Sequence, residues 1–188
     1  MQDHHTSSAD QGRPGKGGGK SELWSFLRTL LLAVVVALLL NNFVITVVTV
    51  EGASMEPTVY TNDRVLMQRV SRWFKLPERG DIVICHIPQL DEKDVIKRVV
   101  GLPGETVEIH QGIVYINGQV LDEPYLDSNP DRRDMLPVTV DEEHVFVLGD
   151  NRIISMDSSS PQVGQIPAEQ ILGISMLRIW PLSEIGEL

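Results

Sequence analysis

The chain has a single cysteine in 188 residues, Cys85. That excludes an internal disulfide and any zinc site built from several thiolates. Cys85 lies in the apolar string DIVICHIP, where a free thiol is ordinary core packing. Basic charge is also scarce: 16 Lys and Arg stand against 26 Asp and Glu, a formal net charge of -10. No basic cluster is large enough to neutralise a run of phosphates, so no nucleic-acid partner is expected. There is no Gly-rich phosphate loop, no internal repeat and no cation-loop spacing of carboxylates, and neither metal nor cofactor is expected. Convincing helical windows are nearly absent beyond residue 44, and the length suits one domain with appendages.

What is present divides into three zones. Residues 1–22 are rich in Gly, Ser, Asp and Lys, and GRPGKGGGK reads as a flexible tail. Residues 23–44 carry the wholly apolar run Leu30 to Leu40, and Arg28 is the sole charge between Trp24 and Val50. About 20 apolar residues suffice to cross a bilayer core as a helix. A removable leader would have a shorter apolar core followed by a small-x-small site, and no Ala-x-Ala follows here. The segment therefore reads as a retained transmembrane anchor. Arg13, Lys16, Lys20 and Arg28 precede it, which places the tail in the cytoplasm and residues 45–188 on the outer side.

Residues 45–188 read as a mainly β domain. FVITVVTV, DRVLMQRV, DIVICHIP, DVIKRVV, ETVEIHQG, IVYINGQVL, HVFVLGD and ILGISMLRIW are short β-branched or alternating strings separated by Gly, Pro and Asp. Asn117-Gly118 predicts a tight hairpin. Helix is expected at the anchor and near Ala168 to Ile171. SRWFKLP, with Trp73 and Phe74, reads either as a second contact with the lipid interface or as a hairpin tip.

Three stretches carry possible chemistry. EGASMEPTVY presents Ser54 after Gly52 and Ala53, but Glu56 stands where a Gly-x-Ser-x-Gly elbow needs its second glycine. Alone, such a serine is a turn residue, and it needs a base to become a nucleophile. His4 and His5 lie in the tail, and His86, His110 and His144 suggest no triad. DVIKRVVGLPG, at 94–104, offers a lysine instead. Along a strand Val95, Lys97 and Val99 share one face, and Ile96, Arg98 and Val100 the other. Burial among valines disfavours the charged amine and suits Lys97 to general-base work. Arg98 cannot shed its charge and needs a carboxylate. The ordinary alternative is that both are structural cations in salt bridges. VFVLGDNRIISMDSSSP, at 145–161, supplies Asp150 to pair with Arg98 and Ser155 to orient Lys97.

Taken together, GASMEPT, RGDIVI, IKRVVGLPGE and GDNRIISMDS, in that order behind one apolar segment, resemble the bacterial type I signal peptidases over nearly the whole chain. The resemblance implies a Ser-Lys serine endopeptidase with a β-rich fold. It implies Ser54 as the acylated nucleophile, Lys97 as general base, Ser155 as the serine that orients the lysine, and Asp150 as partner of Arg98. It also implies a site in the cytoplasmic membrane, signal-peptide-bearing preproteins as substrates, a bilayer contact, and proximity to the secretion machinery. Two positions depart from the pattern. Gly52 replaces a serine that helps the oxyanion hole in some members, leaving backbone donors and room for close approach. Ser159 replaces the arginine often found after GDNR-x-x-S-x-D-S, which deprives Asp157 of an expected partner. Val50, Met55, Val95 and Ile96 are expected to line shallow pockets for the small substrate residues. A self-cleaving repressor would need a DNA-binding module for which there is no room. An anchored domain that binds peptides without cutting them would need neither Ser54 nor Lys97.

Overall fold

The computed structural model describes residues 18–70, 75–88, 90, 94–126 and 131–188, and the side chains of its helix from 22 to 37. The tail before Gly18, and Trp73 and Phe74, lie outside the described residues. The chain separates into two compact units, divided between Leu39 and Leu40.

The first unit holds most of α1, Gly18–Phe43. Its described apolar side chains, among them Leu23, Phe26, Leu27, Leu30 and Leu31, are exposed. The sequence leaves no polar stripe along 30–37, so this stretch has no face suited to water. Among the described residues no helix is long and apolar enough to cross a membrane.

The second unit is antiparallel β, with α1 the only α-helix among the described residues. Its strands are β1 (Ile45–Thr49), β2 (Arg64–Gln68), β3 (Ile82–His86), β4 (Asp94–Gly101), β5 (Thr106–His110), β6 (Ile113–Ile116), β7 (Gln119–Val120), β8 (Met135–Thr139), β9 (His144–Leu148), β10 (Ile166–Pro167), β11 (Ile171–Trp180) and β12 (Gly186–Glu187). The larger sheet runs β1-β2-β11-β3-β4-β9-β10, with β12 added to β11. The smaller runs β7-β6-β5-β8. The Asn117-Gly118 hairpin forms between β6 and β7, with φ of 51° and 77° at the two turn residues. Those left-handed values are the geometry that favours Asn and Gly there. A single 3-10 turn, Ala168–Gln170, sits where the helical signal near Ala168 stood.

Three strands have no counterpart in the sequence reading: the two-residue β10 and β12, and β8. β8 is an edge strand containing Pro137, and most of its residues are exposed. It shows no burial alternation for a pattern to reveal, and proline is tolerated on an edge because one side of the ladder is unused.

β4 is the strand that positions the site. It lies inside the larger sheet, with Val83 opposite Lys97 on β3 and Leu148 opposite Arg98 on β9. Its apolar side chains feed three clusters. Val99 packs with Val83, Cys85 and Val147. Ile96 packs with Val50, Met55 and Ile84. Val100 packs with Val107, Phe146 and Leu148. A strand anchored on both faces in this way holds its polar side chains at fixed positions.

Candidate active site

Ser54 rides on a turn tied down at both ends. Val50 is buried, accepts from the Asn62 amide at 2.9 Å and donates to the Asp63 carbonyl at 2.8 Å. Met55 is fully buried, and its carbonyl accepts from the Val59 amide at 3.0 Å. The serine between these plugs is half-exposed, and its Oγ accepts a hydrogen bond of 2.9 Å from Lys97 Nζ. The amine also donates to the Ile96 carbonyl at 2.9 Å. No carboxylate touches it among the described residues. Lys97 is only 3% exposed, and burial is the main influence on the amine, pulling its pKa below the usual lysine value. Asp157, Cys85 and Asp150 act at longer range in the opposite direction. Cys85 is itself buried and its thiol is pushed up to about 12, so it stays protonated and inert. His86 instead faces Asp94, 3.0 Å away, on the exposed rim.

Arg98 is held quite differently. Asp150 receives its Nε at 3.0 Å and its Nη2 at 2.8 Å, a bidentate pair with both side chains nearly out of solvent. The Gly80 carbonyl takes Nη1 at 2.9 Å, and the Thr58 hydroxyl donates to Asp150. The Tyr125 ring lies 4.0 Å from the guanidinium carbon. Burial and then Glu123 push the Tyr125 phenol up, so it remains a neutral ring over the cation.

The segment after β9 closes the site from below. The Asn151 amide donates to the Ser54 carbonyl at 3.0 Å, joining the two functional turns directly. Gly149 leaves no room for a side chain. A Cβ there would fall 2.5 Å from the Ser54 carbonyl oxygen and 2.2 Å from Ser155 Oγ. Asp157 is fully buried and accepts from the Gly149 amide at 3.0 Å. Ser155 Oγ is buried and has no hydrogen-bond partner among the described residues. The bond to Lys97 foreseen in the sequence is therefore not formed, because the amine is spent on Ser54 and Ile96 while the hydroxyl packs beside Gly149.

Gly52 borders open space, since a Cβ there would meet nothing within 4 Å, and its left-handed backbone, φ 88°, also favours glycine. One other expectation needs correcting. Met55 belongs to the core cluster under Ser54 and lines neither cleft beside it. Its flexible apolar side chain fills the core, as methionine readily does. Val95 and Ile96 line a cleft of about 490 Å³ together with Glu51, Gly52, Ser54, Asp94 and Lys97. With Val50 they also line a smaller recess of about 40 Å³ that adds Val48, Thr49 and Ile84.

Several site residues escaped the sequence reading. Arg152 is buried against Glu123, its Nη1 3.1 Å from the carboxylate, and its Nε holds the Gly149 carbonyl at 3.0 Å. Its place in GDNR was a visible signal. Glu123 and Tyr125 sit in LDEPYL, an ordinary turn string with no period to betray them.

A family model described as signal peptidase, peptidase S26, matches residues 23–180. The chain is similar to signal peptidase I of Leptolyngbya laminosa, with 41% identity over 176 residues covering 89% of this chain and 85% of that one. It is similar to signal peptidase I S of Bacillus subtilis strain 168, with 36% identity over 88% of this chain and 94% of that one. A crystal structure of a signal peptidase I from Enterococcus faecalis V583 is 36% identical, covers 53% of this chain and 97% of that one, and gives a TM-score of 0.47.

Proposed function

The chain belongs to the signal peptidase family, peptidase S26, and is a hydrolase of that family, and we propose that it cuts N-terminal signal peptides from preproteins after small-x-small sites, with Ser54 as nucleophile and Lys97 as general base. The observation that carries this reading is the 2.9 Å contact between Lys97 Nζ and Ser54 Oγ, with the amine buried and no carboxylate against it among the described residues. A buried amine whose pKa is lowered is populated in its neutral form closer to neutral pH than a free lysine.

The neutral amine takes the Ser54 proton as Oγ attacks the scissile carbonyl. Backbone N–H groups near Gly52 and Ser54 stabilise the oxyanion. Lys97 then returns the proton to the leaving amine, and a water deprotonated by the same lysine releases the acyl group. Ser155, which has no partner among the described residues, is available to take up a third hydrogen bond of the amine during these steps. The substrate lies extended in the cleft beside Glu51–Gly52 and Asp94–Lys97. The recess lined by Val50, Val95 and Ile96 receives one of the small side chains.

Residues 23–44 serve as the membrane anchor, with 1–22 in the cytoplasm and 45–188 on the outer side of the bacterial membrane. The exposed, all-round apolar surface of residues 30–37 of α1 supports this. The anchor puts the site beside substrates that are themselves held in the bilayer by their apolar cores, near the secretion machinery.

The test is cleavage of a preprotein with an Ala-x-Ala site by the purified full chain in detergent or lipid, beside Ser54→Ala and Lys97→Ala. Cleavage at that site by the wild type, with both variants folded and inactive, is the expected result. A folded wild type that binds the preprotein without shortening it would overturn the reading in favour of an anchored peptide-binding domain.

A further inference from the structure

Asp157 is a fully buried carboxylate beneath the site, and the local sequence gives it no cation: Ser159 stands two residues on. The charge arrives from elsewhere in the chain. Arg133, on the approach to β8, places Nη1 3.9 Å from Asp157 Oδ1 and donates from the same nitrogen to Ser159 Oγ. That hydroxyl in turn donates to Asp157 Oδ1 at 2.7 Å, and the Ser159 amide supports it at 3.2 Å. Asp131 steadies Arg133 from the other side through Nε, and its Oδ1 takes the Arg133 amide at 3.1 Å.

We infer that Arg133 is a positioning residue for the active site, acting through Ser159 and Asp157 in place of a cation at position 159. The inference rests on the Ser-Lys reading above. The chain of contact is short. Asp157 Oδ2 holds the Gly149 amide at 3.0 Å, and Gly149 packs so closely under the Ser54 carbonyl that a single added carbon would collide with it. A carboxylate that tilts on losing Arg133 therefore moves Gly149, and with it the nucleophile's own backbone. Splitting the task between a serine and a distant arginine has a structural consequence. The small sheet, whose edge strand β8 follows Arg133, becomes tied to the catalytic turn by a buried charge instead of by apolar packing alone.

Electrostatics gives a signature that packing does not share. The carboxylates whose charge reaches Lys97 are Asp157 and Asp150, with Glu51 and Asp94 on the walls of the cleft. Arg133 offsets the field of Asp157. Its removal leaves Asp157 and Asp131 less compensated, which favours the protonated amine and moves the titration of Lys97 upward.

The experiment compares full-length wild type with Arg133→Ala, Arg133→Lys and the double variant Arg133→Ala/Ser159→Arg. It measures kcat and KM on the Ala-x-Ala preprotein across pH, the titration of Lys97 by NMR of a labelled amine, and thermal unfolding. Arg133→Ala is expected to lose about ten- to a hundredfold in kcat with KM within about twofold, the size of effect that slight misplacement of a nucleophile produces. Its Lys97 midpoint moves up. Ser159→Arg in the same chain restores both, and Arg133→Lys, which keeps the charge but not the fork, falls between. The inference is overturned if Arg133→Ala keeps wild-type kcat and midpoint, if it loses thermal stability alone, or if the folded double variant recovers neither. Should Arg133→Ala not fold, Arg133→Lys and the double variant carry the same comparison. The NMR titration needs no turnover, so an upward shift reversed by Ser159→Arg would uphold the Arg133 link even in a chain that proved unable to cut.

Discussion

β4 presents two adjacent cations to two different environments, and the contrast between them separates scaffold from reagent. Arg98 has a carboxylate, a carbonyl, a hydroxyl and an aromatic face around it. Lys97, one residue earlier and on the other face, has a hydroxyl and a carbonyl. Both are almost fully buried. A buried guanidinium cannot escape its charge, so its cost must be met by partners. A buried amine can escape by giving up its proton, and the absence of a contacting carboxylate among the described residues encourages it to do so. The same burial thus yields a permanent ion pair on one face and, in the function proposed above, the general base on the other.

The largest effects should fall on opposite observables for the two residues. Lys97→Ala should lower kcat by about a thousandfold or more, since it removes the proton acceptor, while thermal unfolding shifts little. Asp150→Ala should instead destabilise the fold by about 3–5 kcal/mol, because it strands the buried Arg98. Differential scanning calorimetry beside preprotein cleavage separates the two. If Asp150→Ala left the melting temperature within a degree or two, the pair would not be the scaffold that this contrast requires.

Gly149 tests whether the two faces are joined. Gly149→Ala forces a methyl against the Ser54 carbonyl and Ser155 Oγ. A loss of about a hundredfold in kcat is expected, with the Arg98–Asp150 pair intact. Activity within twofold of wild type would show that the turn after β9 moves independently of the nucleophile.

How much of this was legible beforehand follows from the range of the interactions. The opposed faces of 94–100 could be read directly, because alternation is a local property of a strand. So could the Asn117-Gly118 turn. Met55 was misassigned because proximity in sequence to a nucleophile says nothing about which way a turn side chain points. The left-handed φ of Gly52 was not legible, because no local pattern records a backbone conformation of that kind. Glu123 with Arg152, Tyr125 over Arg98, and Arg133 on Asp157 join residues far apart in the chain, and no periodicity records such pairs. The missing arginine at 159 was visible, but its replacement was not.

The proton equilibrium of Lys97 gives a smaller but signed effect. The folded amine has a pKa below its unfolded value. Between those two values the unfolded chain binds more protons, so stability rises with pH across that window. If Lys97 is the general base proposed above, preprotein cleavage should rise through the folded pKa as the neutral amine appears. Denaturant unfolding at a series of alkaline pH values should show this rise in the wild type and lose it in Lys97→Met. An unchanged slope in the variant would mean that another group accounts for the titration.

The smallest effect concerns the ring over Arg98. Tyr125 stacks 4.0 Å from the guanidinium carbon and hydrogen-bonds Glu123, which itself holds Arg152. Tyr125→Phe keeps the aromatic face and drops the hydroxyl. Tyr125→Leu drops the face as well. A desolvated cation–π contact contributes about 2 kcal/mol, and a hydrogen bond to a charged group about 1.5–3 in favourable cases. Tyr125→Leu should therefore be the less stable of the two variants by about 1–2 kcal/mol, with kcat in both close to wild type because neither touches Lys97 or Ser54. Equal stabilities would show that Arg98 is secured by Asp150 without help from the ring. A drop in kcat without a drop in stability would place Tyr125 on the reactive side of the contrast, and the division of β4 into a structural and a chemical face would have to be redrawn.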